Sequence, residues 1–391
     1  MIEKKSSYKW LVLTISFLLM LVFAISLQAL PPIFSHIIED IPFSNSEAGL
    51  LMSSYAILGI FIPFFAVFFL DKLNIKKMLL VALGLVIVGL IGFAFSSSYA
   101  LLLVSRIISG AGATILIVLS PLLVTLYFDK NNIGTAMGIF NIAVPVGTVI
   151  SLNLFGWLGL FISWQSNIGM IIGFVSFVLL MVIFFLKTPP QKAKEDSKPS
   201  KLKFNLGISL IFLGIIWMIA NAQLLAYITF ASQFFQLHDM SAQEAGFLTS
   251  IIMLISIFLT PIVGILIDKT GQKKIFLFIG LIIMVVAFFA LAASWMSLTL
   301  WAIALGIGFS FVPVVIFSLL PDVVKPENTA MGLAFITAAS NLGIAIGAAG
   351  FGTILDITSG SFSIGFQVLA ILSIVGIFIL FGIKRRANSL E

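Results

Sequence analysis

The chain has 391 residues, of which 61% are hydrophobic and 9% charged, with a net charge of +6 and a mean hydropathy of +1.22. A water-soluble globular domain does not keep this balance, so the composition indicates an integral membrane protein. The absence of cysteine excludes disulfides and cysteine-based metal or redox sites, and with only two histidines we expect no metal and no cofactor.

Apolar runs of about 20 residues recur along the chain, and each is long enough to cross about 30 Å of hydrocarbon as a helix. They lack the alternation over about 10 residues that is typical of barrel strands. We therefore predict an all-α integral membrane protein with twelve transmembrane helices. Their approximate bounds are 10–35, 46 to the hairpin at 67–77, 78–95, 100–127, 133–156, 167–186, 205–235, 242–267, 275–293, 298–320, 329–355 and 362–383.

The basic residues are distributed unevenly. Twenty of the 21 Lys and Arg residues lie in segments that this topology places on one side, whereas the other side holds Glu39, Asp40, Asp239 and Asp356. By the positive-inside rule, we expect a multi-pass protein of the cell membrane with both termini cytoplasmic, and no nucleic-acid partner. The basic segments are 1–9, 72–77, residue 130, 187–203, 269–274, residue 325 and 384–386.

The sequence repeats itself at an offset close to 197 residues, with three matches in the same order. The matching segments are 47–51 and 244–248, 67–77 and 264–274, and 135–138 and 329–332. Such a repeat is typical of transporters built from two homologous halves. We predict an N-terminal six-helix bundle at 1–186, a Lys- and Pro-rich cytoplasmic linker at 187–203, and a C-terminal six-helix bundle at 204–391.

The repeated hairpin carries a family motif. Residues 264–274 read G-x-x-x-D-[RK]-x-G-x-[RK]-[RK], the loop signature of the major facilitator superfamily, whereas the first copy has Val67 and Asn74 in place of glycine. The chain therefore resembles these secondary transporters, which implies two pseudo-symmetric six-helix bundles around a cavity that opens alternately to either side. Either the hairpins only fix the topology, or they form a conformational latch. The resemblance places that latch on Asp71, Lys72, Asp268, Lys269 and Gly271.

Arg106 is the one Lys or Arg residue that lies outside the predicted cytoplasmic segments. It lies about 10 Å into the fourth predicted helix. A charge inside the bilayer is costly, so we expect Arg106 to face the interior and to have a partner. Residues 106–112 resemble the family's motif R-x-x-x-G-x-G, whose arginine is associated with the substrate cavity; the second half has Ala302 at this position. The alternative is that Arg106 binds carbonyls of helix 1, near the kink expected at Pro31, without touching substrate.

Further polar and aromatic residues fall on helices that line the cavity in this superfamily. Each side chain offers a hydrogen bond that is costly to leave unmet in lipid, and its partner is either substrate or a neighbouring helix. No Asp or Glu lies deep in any predicted helix, so a cavity with an arginine favours an anion. The predicted substrate-binding residues are Arg106, Gln28, Tyr55, Asn141, Asn221, Gln223, Tyr227 and Asn341.

We predict a monomeric secondary active transporter that moves a small solute, preferably a small organic anion, by alternating access. Its expected partners are the small-molecule substrate, the lipid bilayer, and a coupling proton or counter-anion. Two alternatives stay open: a proton-coupled exporter of hydrophobic drug-like compounds, and a non-transporting membrane receptor or sensor. An enzyme is not expected, because no loop groups a nucleophile, a base and an orienting residue.

The predicted topology can be tested with single cysteines, because the chain contains none of its own. In Ser197→Cys and Ser389→Cys, a membrane-impermeant maleimide should label the protein only from the cytoplasmic side. In Ser359→Cys it should label only from outside. Labelling of Ser197→Cys and Ser359→Cys from the same side would contradict the topology.

Overall fold

The computed structural model describes residues 2–64, 74–129, 132–187, 207–325 and 328–383. Within these ranges the secondary structure is helical, without β-strands, and eleven helices are long and apolar enough to cross a membrane. The twelfth span is the second, which is irregular and only partly described. The prediction of an all-α membrane fold is confirmed, and the predicted linker at 187–203 lies almost entirely outside the described residues.

The N-terminal half contains three continuous spans and three interrupted ones, which we number α1–α6. The continuous spans are α3 (Ile75–Ala94), α4 (Tyr99–Tyr127) and α6 (Trp164–Phe185). The interrupted spans are α1 (Ile2–Gln28, Pro31–Ile33, Phe34–Asp40), α2 (Asn45–Ser54, Ile57–Ile60) and α5 (Ile133–Asn141, Ala143–Ile150, Ser151–Phe155, Gly156–Leu158). Pro31 and Pro32 cause the bend in α1, as predicted, because proline has no N–H to continue the helix.

The C-terminal half consists of six unbroken helices, α7–α12. Pro261, Pro313 and Pro321 lie inside α8 and α10 without interrupting them. The two halves therefore share a helix count and order but differ in regularity. The bounds are α7 Ile208–Gln236, α8 Ala242–Thr270, α9 Lys273–Ala292, α10 Leu298–Val323, α11 Thr329–Ile357 and α12 Phe362–Gly382.

The internal repeat extends to the hydrogen bonds that begin the helices. Ser44 and Glu47 form a capping box at the start of α2, in which the backbone N–H of Ser44 donates to the Glu47 carboxylate at 2.8 Å. Ser241 and Glu244 form the same box at the start of α8, with the corresponding distance 2.9 Å. Each box satisfies N–H groups that the first turn of a helix cannot pair itself.

Glycines repeat the pattern in the packing between helices. Gly110 of α4 lies against the backbone of Tyr55 in α2, and Gly306 of α10 lies against Ile252 in α8. A Cβ at either glycine would collide with the facing helix. Small residues at matching places thus let α4 and α10 approach α2 and α8 closely, as in other membrane bundles.

The two halves meet mainly through two helix crossings, α2 with α11 and α5 with α8, and α7 also touches α1 and α2. Gly49 of α2 lies on the backbone of Ala348, and Gly246 of α8 lies on the carbonyl of Leu152. Both contacts fall in the part of the helices nearer the face opposite the predicted cytoplasmic side. We call these two crossings the outer gate, and in this structure the outer gate is closed.

Each crossing also contains one serine that hydrogen-bonds across it. Ser53 of α2 donates to the carbonyl of Ile344 at 3.3 Å and accepts from the N–H of Ala349 at 3.2 Å. Ser250 of α8 accepts from the side-chain amide of Asn153 at 3.1 Å. Because both serines occupy the same repeat position, the outer gate consists of two related contacts.

Candidate functional site

Arg106 lies on the face of α4 that meets α1 and α2, and it is 1% exposed. All three of its side-chain nitrogens donate to backbone carbonyls. Nε donates to Leu51 at 3.0 Å, Nη1 to Ser26 at 2.6 Å and Nη2 to Leu27 at 3.3 Å. A single guanidinium thus joins α4 to two neighbouring helices.

Helix breaks explain why these carbonyls accept bonds from a side chain. In a regular helix the carbonyl of Leu27 would accept from the residue four positions later, which here is Pro31 and has no N–H. In α2, the N–H that would reach Leu51 belongs to Tyr55, and it donates to Ser53 instead. The guanidinium of Arg106 therefore supplies the N–H group that Pro31 lacks, and at Leu51 it adds to the hydroxyl of Ser54, which donates to the same carbonyl at 3.1 Å.

Tyr55 completes the surroundings of the guanidinium. The central carbon of the Arg106 guanidinium lies 4.4 Å from the centroid of the Tyr55 ring, within cation–π distance. Tyr55 is 1% exposed, and its ring also contacts Phe23, with the ring centroids 6.1 Å apart. These contacts match the interhelical interpretation of Arg106, with carbonyls and an aromatic face as partners, and substrate binding by Arg106 stays a prediction.

The second half has no arginine at this place and does not need one. Ala302 occupies the position equivalent to Arg106 and is fully buried. The parts of α7 and α8 that correspond to the breaks in α1 and α2 are continuous, so the carbonyls there keep their own helical partners. The charge asymmetry seen in the sequence thus follows the asymmetry in the helix breaks.

Gln223 and Tyr227, both expected to bind substrate, lie inside the C-terminal half. The amide nitrogen of Gln223 donates to the carbonyl of Leu369 and to the hydroxyl of Ser373 in α12, at 2.6 Å each. Gln223 is fully buried, and so is Tyr227 one turn further along α7. The structure thus places Gln223 as a link between α7 and α12, and substrate binding by Gln223 and Tyr227 stays a prediction.

Of the two other predicted residues on the C-terminal half, Asn341 and Asn221, one lies at the interface between the halves. Asn341 of α11 faces the other half, because a Cβ on Gly59 of α2 would collide with its amide group. Its amide nitrogen donates to the carbonyl of Thr337 at 2.9 Å, and that of Asn221 donates to Trp217 at 2.7 Å. Each side chain is thus oriented by its own helix.

The remaining predicted residues are Gln28 and Asn141. Gln28 ends the first segment of α1 beside the carbonyl of Leu27 that Arg106 binds, and it is buried. Its side-chain oxygen accepts no hydrogen bond from the described residues. Asn141 is exposed at the end of Ile133–Asn141, where α5 is interrupted. The structure therefore brings Arg106, Tyr55 and Gln28 to one region, and holds Asn141 apart from them.

The two repeated hairpins are only partly described, and Asp71 and Lys72 lie outside the described residues. In the second hairpin, Asp268 and Lys269 are exposed near the end of α8. Gly271 ends that helix in the left-handed conformation, with φ +67°, which favours glycine. The latch itself stays a prediction.

An ion pair at this face was not predicted. Lys273 of α9 lies 2.9 Å from the carboxylate of Asp322 in α10, and it also donates to the carbonyl of Ser318 at 2.7 Å. The signal available in the sequence was an acidic residue at the cytoplasmic end of the tenth predicted helix, beside the basic hairpin. This pair joins the hairpin to the end of α10 within the C-terminal half.

The fold and the paired helix crossings define a multi-pass membrane transporter built from two related six-helix halves. The sequence model of the Major Facilitator Superfamily matches residues 16–238 and again 206–391, so the chain belongs to this family of transporters. It is a transporter and not an enzyme.

Curated relatives and solved structures agree with this assignment. The chain is 25% identical to the lysosomal dipeptide transporter MFSD1 of Gallus gallus over 76% of this chain and 72% of the relative. It is 23% identical to the MFSD1 of Homo sapiens over 89% of this chain and 80% of the relative. Among solved structures, the nucleoside transporter NupG aligns with a TM-score of 0.77 at 16% identity, covering 96% of this chain and 98% of that one. A bacterial homologue of the lysosomal transporter Spinster, inward-facing and occupied, aligns with a TM-score of 0.77 at 17% identity, covering 98% and 99%.

Replacing Arg106 tests whether it supports the helices or binds substrate. Arg106→Ala should lower the free energy of unfolding in detergent by at least about 2 kcal/mol, because it leaves buried carbonyls without donors. Arg106→Lys should lower the free energy of unfolding by less, because an ammonium keeps the charge. It should still lower it, because an ammonium cannot reach all three carbonyls. Thermal unfolding beside ligand affinity measures both effects, and Lys269→Ala, which removes an exposed cation, is the control. An Arg106→Ala protein with wild-type stability but weakened anion binding would contradict the structural role.

Proposed function

We propose that this transporter moves a small organic solute that carries a carboxylate, either an organic anion or a dipeptide, by alternating access. The observation that carries the proposal is electrostatic. Among the residues that the structure describes, Arg106 is the only charged side chain that is buried. A lone cation in a medium of low dielectric constant gives the interior a positive potential.

The relatives support this class of solute. Dipeptide transporters match over as much as 89% of the chain, and a dipeptide carries a carboxylate at one end. The argument from potential does not require the guanidinium to touch the solute. Arg106 acts at a distance on the charge of the solute, while its own donors stay on Leu51, Ser26 and Leu27.

Neutral amides are the proposed binding groups. Asn341 lies at the meeting of α2 and α11, Asn221 on α7 and Asn141 on the interrupted α5. An amide offers both donors and an acceptor, which suits the carboxylate and the amine or amide of a small peptide. We propose that these three residues bind the solute, whereas Gln223 and Tyr227 hold the C-terminal half together.

The outer gate supports the mechanism of alternating access. Its two crossings are packed on glycine backbones, and each contains a serine that hydrogen-bonds across it, so at these glycines the helices can separate without disengaging bulky side chains. We also propose the orientation that the charge distribution favours, with both termini cytoplasmic in the cell membrane. A coupling proton or counter-anion belongs to the same proposal.

Transport in proteoliposomes tests the substrate class. Counterflow should be supported by dialanine and slowed when its carboxylate is converted to the amide, because the amide lacks the negative charge that the interior potential attracts and keeps only the cationic amine, which that potential repels. Asn341→Ala should weaken dialanine binding by about tenfold, the loss of one to two hydrogen bonds. Gln367→Ala is the control, since Gln367 is exposed on α12.

Two results would contradict the proposal. One is equal counterflow with dialanine and its amide, which would remove the role of the carboxylate. The other is transport of a hydrophobic cationic dye without transport of dipeptides or organic anions, which would establish the exporter instead.

A further inference from the structure

Asp356 forms a hydrogen-bonded contact between the halves that the transport proposal does not use. It lies near the outer end of α11, and its Oδ1 accepts from the backbone N–H and the side-chain amide of Asn45, at 3.1 and 3.0 Å. Its Oδ2 accepts from the backbone N–H of Ser46 at 2.8 Å. Asn45 and Ser46 are the first residues of α2, in the other half.

The contact supplies what the start of α2 lacks. The capping box satisfies the N–H groups of Ser44 and Glu47, but it has no acceptor for those of Asn45 and Ser46. The carboxylate of Asp356 accepts from both, and its negative charge also suits the positive end of the helix dipole. Asp356 thus caps a helix that belongs to the other half.

The surrounding contacts place Asp356 at the outermost part of the α2–α11 crossing. Gly352, one turn before it on α11, lies on the backbone of Asn45, with no room for a Cβ. Further inward on α2 come the contacts of Gly49 and Ser53 with α11. The crossing therefore ends in a charge-assisted contact at its outer edge.

The related crossing has no such end. At the offset of 194 residues that relates 135–138 to 329–332, Asp356 corresponds to Ile162, just beyond the end of α5, and its apolar side chain accepts no hydrogen bond. The first residues of α8 are Ala242 and Gln243, after a capping box like that of α2. The glycine and serine contacts are present in both crossings, but the acidic cap occurs in one.

We propose that Asp356 is an outer latch, which holds the outer gate closed while its carboxylate caps α2 and releases it when α2 and α11 separate. The inference rests on alternating access, because a latch has a use only if the gate opens. A capping role without gating makes a different prediction: loss of the carboxylate would lower stability and leave the balance between open and closed gates unchanged.

Distances between spin labels measure that balance without any substrate. The chain has no cysteine, so Ser97→Cys with Ser297→Cys reports on the outer face, and Asp129→Cys with Lys325→Cys reports on the inner face. Asp356→Asn should raise the population with a long outer distance, relative to the closed one, by roughly tenfold to hundredfold, as expected for a lost charge-assisted contact. The inner pair should shift to shorter distances.

Asp40→Asn is the matched control. Asp40 is also an acid of the outer face, and it accepts from Trp164 at 2.7 Å and from Gln165 at 3.2 Å. All three residues belong to the N-terminal half, so this substitution should lower stability without moving either distance distribution.

A second variant keeps Asp356 and removes its donors. Asn45→Pro deletes both the backbone N–H and the side-chain amide, at a first helical position where proline is well tolerated. Ala242→Pro makes the same change at the repeat position in α8, where no carboxylate is bound. Asn45→Pro should open the outer gate, and Ala242→Pro should not. If Asp356→Asn does not fold, the distances in Asn45→Pro test the proposal instead.

Unchanged distances in Asp356→Asn or, if that variant does not fold, in Asn45→Pro would overturn the latch. An equal shift in Asp40→Asn or Ala242→Pro would overturn it as well. Neither result would touch the substrate proposal, which is measured by counterflow.

Discussion

A backbone carbonyl inside a bilayer needs a hydrogen-bond donor from the protein, because no water reaches it. Regular helices provide that donor from their own chain, but α1 bends at Pro31 and α2 loses its helical pattern at Tyr55. The guanidinium of Arg106 fills both gaps at once, and its charge rests against the ring of Tyr55. The irregular shape of the N-terminal half depends on this arrangement.

Comparison of the two pseudo-symmetric halves shows that the helix breaks and the buried arginine occur together. The C-terminal half repeats the capping box, the close glycine packing and the serine contact of the first half. It has continuous helices beside Ala302, where the first half has broken helices beside Arg106. The two halves therefore differ at two places. The N-terminal half has the buried cation Arg106, and the C-terminal half has the acid Asp356, which caps α2 of the N-terminal half at the outer gate.

The sequence predicted the fold well, because a repeat at 197 residues, a charge-biased set of loops and a family hairpin all indicate the same architecture. It also predicted that Arg106 is buried and has partners. It did not decide whether the partner of Arg106 is a substrate or backbone carbonyls, because either partner would offset the cost of burying the charge. The break in α2 at Tyr55 was not predicted, because no proline lies in the preceding turn to indicate it.

The direction in which a polar side chain points was harder to predict. α7 is apolar on every side, so its sequence does not tell which face meets α11, α12 or the cavity. Gln223 was assigned to the cavity only because it lies on a helix that lines the cavity in this superfamily, and its contact with α12 was not predicted. Asp356 was noted only as an acid on the outer side. Its role depends on two halves meeting over 310 residues of sequence separation, which no local pattern records.

The central claim is that Arg106 replaces the N–H that Pro31 lacks, and a double-mutant cycle on the free energy of unfolding tests it most directly. Pro31→Ala restores an N–H that can reach the carbonyl of Leu27. The change that Pro31→Ala makes in the free energy of unfolding should be more favourable by about 1 kcal/mol or more in the Arg106→Ala protein than in the wild-type protein. The reason is that Arg106 and the restored N–H share one acceptor, the carbonyl of Leu27. Strictly additive effects of the two substitutions would contradict the account.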